Sequence, residues 1–436
     1  MKNHITPKLA GYIAGTGEPP VSARQMMRLS LLDWAACGLA GQIEPVSRII
    51  REHVTGDRGV PEASVIGTDV LLPAKAAALV NATTSHALDY DDTHFAHIGH
   101  PSVAVIPAAL AIAEKIGAEG AAFLDAALIG AETSIRAGIW LGRSHYQAGF
   151  HQTATAGTIG AAAAACRLLQ LSVNRTSHAL GLAATRASGL KSQFGTMGKP
   201  YNAGIAASNG VEVALLGAAG FVSNPLALET DQGFGPTHAG QDDMLAFDGL
   251  GQDYLFETIS HKFHACCHGL HAALEAMEKI CDRIDPESVA NVTITTHPRW
   301  MTVCNIAEPK SGLEAKFSYR LTGAMALTRQ DTGALNTYSD RACLDANLVR
   351  LRNKISVRTD VGISETAASV VVDLQNGASL TTSHDLNGPL DIAMREKKLR
   401  AKASSIVGTA RTGLLWDCIT APDGPDLNKL TDILRQ

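Results

Sequence analysis

Long apolar stretches rich in alanine and glycine dominate the chain from Ser22 to about Gly220, with almost no alternation of apolar and polar residues. Stretches of this length without a period of two are typical of helices. Runs of small side chains such as Ala161–Ala165 allow helices to approach closely. The sequence therefore predicts a dense helical bundle, in which Ser22 caps a helix over 23–39 and Pro101 begins another.

Length and a change of pattern predict two domains. The chain has 436 residues, and a single core stops growing at roughly 250–300 residues. After about Asp285 the pattern turns strand-like, and Gln375-Asn376-Gly377 predicts a hairpin. We predict strands over 288–296, 354–359, 368–374 and 378–383, and helices over 314–328, 340–350, 395–407 and 427–434. The predicted fold is mainly α, with a large all-helical domain (1–262 and 390–436) and a smaller α+β domain (263–389).

Composition excludes several classes of protein. The net charge is −5 and the pI about 6.3, so neither nucleic acid nor an anionic membrane is an expected partner. The apolar run Phe95–Ala113 contains two histidines, Gly99 and two prolines, which argue against a membrane span. The eight cysteines form no Cys-x-x-Cys pair, so no cysteine-ligated zinc is indicated. The N-terminal residues lack a signal-peptide pattern, and we expect a cytoplasmic protein.

The segment Asp89–Pro101 concentrates three carboxylates, a hydroxyl and three imidazoles in a chain with only 18% charged residues. Histidines suit proton transfer near neutral pH. The spacing His94-x-x-His97-x-x-His100 also allows a metal-dependent hydrolase. Gly99 and Pro101 argue against one helix through these three histidines, and no His-Glu-x-x-His pair occurs. We therefore predict no metal.

The segment His261–His271 is a second histidine cluster. Its members His261, His264, His268 and His271 are spaced by three, four and three residues, which on a helix would place them on one face. Cys266-Cys267 offers a thiol nucleophile as an alternative, although buried cysteines that fill space are commoner. We expect the two clusters to be two walls of one active site.

Two more segments carry candidate side chains. His151 lies near the start of a small-residue helix, and Lys199 lies in a glycine-rich turn before a predicted helix over 205–216. A lysine with so little charge around it is suited to binding a carboxylate. Neither phosphate-loop pattern is present.

Taken in order, these motifs resemble the MmgE/PrpD family, which contains 2-methylcitrate dehydratase, cis-aconitate decarboxylase and iminodisuccinate epimerase. The motifs that carry the resemblance are Leu88–Thr93, Gly99–Ser102, Phe150–Thr153, Phe194–Pro200 and Lys262–Cys267. The resemblance extends from Leu32 to Pro389. It implies a helical domain made from both chain ends, an α+β domain inserted before the C-terminal helices, a homodimer, and no metal or organic cofactor.

The resemblance also implies site residues. By analogy with the decarboxylase, the catalytic residues are Asp89, Thr93, His100, His151, Lys199 and Lys262. A tyrosine of that enzyme falls on Leu321, with Tyr319 two residues earlier. The predicted substrate-binding residues are Tyr319, Arg320, His264 and His268.

The implied chemistry is removal of a proton next to a carboxylate of a small di- or tricarboxylate, or the reverse. Lys199, Lys262 and Arg320 would neutralise the negative charge, and His100 or His151 would exchange the proton. We predict a lyase, either a dehydratase-like hydro-lyase or a decarboxylase. The length between Thr93 and His100, the extra histidines and Arg320 resemble the epimerase branch more, so an epimerase is the alternative. A non-catalytic polycarboxylate-binding protein is an alternative of another class.

Overall fold

The computed structural model describes residues 4–15, 17–57 and 59–436. Residues 1–3, which begin the N-terminal stretch used to predict localisation, lie outside the described part. Residue contacts divide the chain into two compact units, which we call unit 1 (Met1–His261 and Val407–Gln436) and unit 2 (Lys262–Ile406). Each unit is described by itself.

The described residues are mainly helical, as predicted. Their α-helices are α1 (Ile5–Ala14), α2 (Val21–Gly41), α3 (Pro45–Asp57), α4 (Ala74–Ser85), α5 (Ser102–Ile116), α6 (Gly120–Gln147), α7 (Gln152–Leu168), α8 (Val173–Arg186), α9 (Gly198–Ala218), α10 (Phe234–Thr237), α11 (His271–Glu278), α12 (Gly312–Ala315), α13 (Tyr319–Leu327), α14 (Asp340–Leu344), α15 (Ala346–Arg352), α16 (Ile392–Val407), α17 (Thr409–Ile419) and α18 (Leu427–Arg435). Their strands are β1 (Ala63–Val65), β2 (Thr68–Leu72), β3 (Val289–Thr296), β4 (Ile355–Thr359), β5 (Ala367–Leu374) and β6 (Ser379–Asp385).

Small residues bring the central helices of unit 1 close together. Helix α7 packs against α5, α6 and α9, and α4 packs against α5 and α9. A Cβ added at Gly130 of α6 would lie 2.6 Å from the carbonyl oxygen of Gly160 in α7. One added at Gly210 of α9 would lie 2.6 Å from the backbone nitrogen of Ala162. The dense bundle predicted from the alanine- and glycine-rich pattern is confirmed.

Two local predictions in unit 1 need correction. Helix α2 begins at Val21 with Pro20 in the cap position, so Ser22 is not its cap. Unit 1 is also not all-helical, because β1 and β2 form an antiparallel hairpin. The hairpin is anchored by neighbours that are distant in sequence: Ser64 binds the carboxylate of Glu114 through its N–H and its hydroxyl.

Unit 2 contains a four-stranded sheet in the order β4-β3-β5-β6. Strand β3 is parallel to β4 and antiparallel to β5, and β5 is antiparallel to β6. The predicted hairpin is confirmed: Gly377, with a φ of 88°, lies in the turn between β5 and β6. Helix α11 packs on β5 and β6, which covers one face of the sheet.

Two helix predictions for the second half of the chain were incomplete, and one helix was missed. The helix predicted over 314–328 is broken into α12 and α13, because Ser318 caps α13 by accepting the N–H of Leu321. The helix predicted over 340–350 is likewise broken at Asp345, which caps α15. Helix α17 was not predicted.

The predicted domain bounds differ from the two units mainly over residues 390–406. We assigned these residues to the helical domain, whereas they belong to unit 2. The reason is the packing of α16, where Lys398 binds the carboxylates of Glu275 and Glu278 on α11.

Within the described residues, no helix combines the length and the apolar character needed to cross a bilayer.

Candidate active site

A chain of polar contacts in unit 1 joins two histidines and two carboxylates. Nδ1 of His86 lies 2.8 Å from Oδ1 of Asp91, and Oδ2 of Asp91 lies 3.0 Å from Nδ1 of His100. Nε2 of His100 lies 3.2 Å from Oδ1 of Asp89. The first three residues are buried, whereas the Asp89 side chain is 47% exposed. The imidazole of His100 therefore lies between two carboxylates, one in the interior and one on the open side.

The loop between α4 and α5 places these side chains. His86 is the C-cap residue that follows α4. Asp89 turns the chain with a φ of 51°, a conformation that aspartate tolerates better than most residues. Asp92 then accepts the N–H and the hydroxyl of Ser102 and thereby caps α5. The N–H of Ser102 at the start of α5 is therefore engaged by Asp92 and is not free to bind a ligand beside His100.

Lys199 contacts Asp89, the exposed member of this series of polar contacts. Its ammonium lies 2.6 Å from the same Oδ1 of Asp89 that His100 approaches. The lysine is in the first turn of α9, and its ammonium is 5.4 Å from the centre of the Phe194 ring. The structure thus brings together three residues predicted from separate motifs.

His151 lies beside them at the start of α7. Its backbone N–H donates to the carbonyl of Gly189, which helps to fix the position of His151 just before the helix. The amide nitrogen of Asn202 donates to the carbonyl of Leu190 at 3.3 Å and to Nδ1 of His151 at 3.2 Å. Because Nδ1 accepts this hydrogen bond, a neutral His151 carries its proton on Nε2. The Phe194 ring packs edge-on against the imidazole.

The surroundings push the protonation of the two site histidines in opposite directions. Burial opposes the charged form of His100, but Asp91 and Asp89 outweigh burial and raise the pKa of that imidazole. Burial, followed by the positive charge of Lys199, holds the pKa of His151 well below its usual value. The carboxylates around His100 therefore favour its protonated form, whereas burial and Lys199 favour the neutral form of His151.

The remaining residues of the Asp89–Pro101 segment hold the loop. Thr93 pairs its backbone with Ser260 and also donates its hydroxyl to the Ser260 carbonyl at 3.3 Å. Nε2 of His94 lies 2.9 Å from the hydroxyl of Thr258, and its Nδ1 accepts the N–H of His97. Burial lowers the pKa of His94 to about 4 and, with the nearby His94, that of His97 to about 3. Both are neutral, and His94 has each ring nitrogen engaged.

A different set of residues in this site has the composition of a metal centre. Ligand atoms of His86, Asp89, Asp91 and His100 lie within 4.8 Å of one another. In the structure Asp91 contacts both imidazoles, and the ammonium of Lys199 contacts Asp89. A metal ion would have to replace those contacts. The absence of a metal stays a prediction.

Unit 2 contains a second polar cluster, centred on His264. Nδ1 of His264 lies 2.7 Å from the Thr332 hydroxyl, and its Nε2 lies 3.4 Å from Oε1 of Glu275. Lys398 contacts Glu275 at 2.5 Å and Glu278 at 3.0 Å. Burial alone would raise the pKa of Glu275, but His264 and Lys398 outweigh it and lower the pKa to about 2. An ionised carboxylate therefore links a histidine to a lysine.

The histidines of the segment His261–His271 do not share a helix face, because α11 begins only at His271. His268 begins a short 3-10 helix before it. The rings of His264 and His268 nevertheless lie 5.0 Å and 4.8 Å from that of His271. Lys262 is buried, and its charge adds to the effect of burial and of the neighbouring histidines in lowering the pKa of His271.

The two predicted residues on α13 have different surroundings. The hydroxyl of Tyr319 donates to the carbonyl of Gly269 at 2.7 Å and lies 3.1 Å from the hydroxyl of Thr296. Tyr319 is buried, so these contacts indicate a structural role for its hydroxyl. Arg320 follows it in the first turn of α13 and is half-buried.

A cavity of about 670 Å³ lies elsewhere in unit 1. Ile13, Glu119, Asp125 and Arg167 are among its lining residues, and none of the predicted site residues is among those described there. Asp125 in it is paired with Arg24. We take the histidine cluster of unit 1 as the candidate site, because buried imidazoles, carboxylates and the ammonium of Lys199 meet there at an open side.

Sequence reasoning missed three supporting residues of the site. Asp91 was noted as part of the dense segment Asp89–Pro101, but neither it nor His86 was predicted to be a partner of His100. Asn202 was not singled out. No sequence signal marked it, because the predicted helix began only at residue 205.

The fold and site thus define a mainly helical protein with a histidine–carboxylate–lysine site. The N-terminal domain model of the MmgE/PrpD family matches residues 7–245, and the C-terminal domain model matches residues 264–412. The chain belongs to the MmgE/PrpD family.

Among individual proteins, the chain is similar to cis-aconitate decarboxylases. It is 26% identical to the enzyme from Aspergillus terreus, over 99% of this chain and 95% of that one. It is also 26% identical to the human enzyme, over 100% of this chain and 95% of that one. A cis-aconitate decarboxylase-like protein from Aspergillus oryzae is 31% identical over 64% of this chain, and the match spans 62% of that relative's length.

Proposed function

We propose that this protein is a lyase that acts on a small di- or tricarboxylate, and that it decarboxylates a substrate of the cis-aconitate type. The observation that carries the proposal is the placement of the site histidines: the His100 imidazole lies between the carboxylates of Asp91 and Asp89, which favour its protonated form, and Nδ1 of His151 accepts a hydrogen bond from Asn202. The relatives support it, because those named above are cis-aconitate decarboxylases or decarboxylase-like.

Decarboxylation needs an acid more than it needs a base. The bond to the departing carboxylate breaks, its electron pair stays on the carbon skeleton, and CO2 leaves. A proton donor must then protonate the carbon that bears the pair. His100 suits this step, because its neighbours favour the imidazolium. Solvent access on the Asp89 side allows His100 to regain its proton.

The other residues would bind the substrate and stabilise its charge. The ammonium of Lys199 contacts Asp89 in the structure, and a substrate carboxylate would compete for the same cation. A neutral His151 presents its Nε2–H as a hydrogen-bond donor. Donors and cations aimed at negative charge stabilise a carbanion-like transition state. Lys262, Arg320, His264, His268, Tyr319 and Thr93 remain predicted site residues on the strength of the family resemblance.

Dehydration and epimerisation each require a base as well. His151 could act as a base through Nε2 only if its proton moved to Nδ1, which would break the hydrogen bond from Asn202. Asp89 could act as a base only after it released Lys199. The hydro-lyase and the epimerase therefore rank behind the decarboxylase. A non-catalytic polycarboxylate-binding protein is the alternative that predicts binding without turnover.

One experiment separates these reactions. The purified protein is incubated in D2O with cis-aconitate, citrate, 2-methylcitrate or iminodisuccinate, and each mixture is followed by proton NMR. We expect CO2 loss from cis-aconitate, with one deuterium on the carbon that is protonated. The matched control is Lys199→Ala, which should abolish turnover, beside Lys191→Ala, which removes a lysine bound to the Tyr146 carbonyl and should not.

Each other outcome contradicts the proposal in its own way. Alkene formation from citrate or 2-methylcitrate identifies a hydro-lyase. Deuterium exchange into iminodisuccinate without a change of skeleton identifies an epimerase. Thermal stabilisation by any of the four compounds without label or product identifies a binding protein. Full loss of activity on chelation, restored by zinc or manganese, identifies a metal-dependent enzyme.

Three further predictions go with the proposed function: a homodimer, no metal or organic cofactor, and a cytoplasmic location. The resemblance to the family supports the first two, and the third stays an expectation from the sequence. Light scattering and elemental analysis of the purified protein test the first two, and fractionation of cells tests the third.

A further inference from the structure

The interior side of His100 is closed by two residues that the proposed reaction does not itself use. Asp91 contacts Nδ1 of His100 with one carboxylate oxygen and Nδ1 of His86 with the other. The side chains of His86 and Asp91 are 0% and 2% exposed. Neither can therefore contact a substrate that binds at the open side of the site. Any effect that they have on the reaction must pass through a neighbour.

His86 adjoins both histidines of the site. Its ring lies edge-on to that of His100, with the centroids 4.6 Å apart, and is stacked at 6.3 Å from the ring of His151. Burial lowers the pKa of His86 despite the nearby Asp91, so the imidazole is neutral. A neutral His86 that contacts Asp91 through Nδ1 carries its proton on that nitrogen and donates a hydrogen bond to the carboxylate, because a carboxylate only accepts.

We propose that Asp91 and His86 are a buried positioning pair, which holds His100 protonated and fixes its ring with Nε2–H toward Asp89 and the substrate side. This inference rests on the proposed function, since it concerns the acid of that reaction. Asp91 supplies the negative charge, and His86 supplies the hydrogen bond that keeps Asp91 ionised.

His86 is needed beside Asp91 because a buried carboxylate tends to take up a proton itself. Burial would raise the pKa of Asp91, but His86 and His100 outweigh burial and hold it well below its usual value. Without the hydrogen bond from His86, Asp91 would compete with His100 for one proton. Histidine positioned by a buried carboxylate is a recurrent arrangement in catalysis.

Other groups near His100 act in both directions. Asp89 adds negative charge on the open side, and His97 lies on the same loop. The ammonium of Lys199 lies on α9, and the imidazole of His151 lies at the start of α7. Asp89 is exposed, and it shares its oxygen with Lys199. Water and Lys199 screen it, so Asp91 is the stronger of the two carboxylate partners.

The test compares Asp91→Asn with Asp92→Asn. Both replace a buried carboxylate in the same loop, but Asp92 binds Ser102 and caps α5. Removal of the Asp91 charge should lower the pKa of His100, so the alkaline limb of the kcat/KM profile should move to lower pH by about one unit or more. The kcat should fall by about 100-fold with KM within about threefold. Asp92→Asn should leave the limb in place.

Substitutions of His86 provide a second, independent arm. His86→Asn retains a donor near the position of Nδ1, whereas His86→Ala removes it. We expect His86→Ala to lower kcat and to move the alkaline limb, and His86→Asn to restore most of both. This arm stands even where Asp91→Asn does not fold.

A ring-nitrogen NMR titration of His100 without substrate separates this inference from the proposed function, because it needs no turnover. The pair is supported if the titration of His100 moves to lower pH in Asp91→Asn and His86→Ala but not in Asp92→Asn. It is overturned if His100 titrates unchanged in both, or if Asp92→Asn moves it equally. A stoichiometric metal ion that is lost from Asp91→Asn would also overturn it, because the residues would then be ligands.

Discussion

At the scale of single residues, the site depends on what each histidine contacts rather than on how many histidines there are. His100 and His151 have the same side chain, yet one faces two carboxylates and the other faces an amide donor and a lysine. Opposite protonation follows from these partners. The same rule explains why His94 and His97, which made the segment conspicuous, are neutral and hold the loop.

Asp92 gives a prediction about stability and pH. Burial, followed by the charge of Asp33, raises the pKa of Asp92 to about 7 in the folded protein. A raised pKa means that the folded state binds the proton more tightly than the unfolded state. The contribution to stability is therefore fully present below about pH 4 and is lost as the pH rises through about 7.

We expect Asp92→Asn to remove this pH dependence, since an amide keeps an oxygen for Ser102 but does not ionise. Melting temperatures measured from about pH 5 to about pH 8 should fall less in the variant than in the parent protein. Parallel curves for the two proteins would show that Asp92 does not titrate in this range.

Several site residues were predictable from the sequence, and others were not. Asp89, His100, His151 and Lys199 lie in motifs that stand out in a chain with little charge, and unit 1 brings all four together. Asn202 could not be chosen, because an asparagine in an apolar helix has no sequence signature until its partner is known.

At the scale of elements, the helical bundle was predictable and the helix ends often were not. A strong apolar pattern fixes that a segment is helical. Its ends depend on hydrogen bonds to residues far away in the sequence. The segment His261–His271 shows this: the N–H of Ala265 binds the carbonyl of Thr332, and that of Cys267 binds Lys316. These contacts replace the helical bonds that the histidine spacing suggested.

The close packing of α7 and α9 gives a prediction for stability. A Cβ added at Gly210 would lie 2.4 Å from the Cβ of Ala161, which is closer than such atoms approach. Gly210→Ala should therefore lower the free energy of unfolding by about 1–3 kcal/mol. Urea unfolding measures the change.

The matched control is Gly413→Ala in α17, where an added Cβ would meet nothing within 4 Å. In that position alanine should raise the free energy of unfolding by about 0.5–1 kcal/mol, because it restricts the unfolded chain and favours the helix. A Gly210→Ala variant as stable as Gly413→Ala would mean that α7 and α9 are not so closely packed.

At the scale of the whole molecule, length and pattern correctly indicated a mainly helical fold, and the family models match both halves of the chain. The limits of the two units depend on contacts that no local pattern encodes. The sequence pattern of α16 fits a helix in either domain. Its contacts show which unit holds it: Lys398 pairs with Glu275 and Glu278, and Ser405 donates a hydrogen bond to Asp331.

The family fixes the scaffold but not the reaction. A site with a cation, a proton donor and a hydrogen-bond donor can catalyse decarboxylation. The same site can catalyse dehydration or epimerisation if one of its residues acts as a base. The protonation of two imidazoles distinguishes these reactions. We propose decarboxylation because we expect His100 to be charged and His151 to be neutral with its proton on Nε2.

Nitrogen NMR of the histidine rings near neutral pH tests this claim most directly, with His100→Gln and His151→Gln used to assign the signals. We predict that both ring nitrogens of His100 carry protons, while His151 carries one, on Nε2. A neutral His100, or a His151 with its proton on Nδ1 and an unprotonated Nε2, would contradict the account and favour a base-dependent reaction.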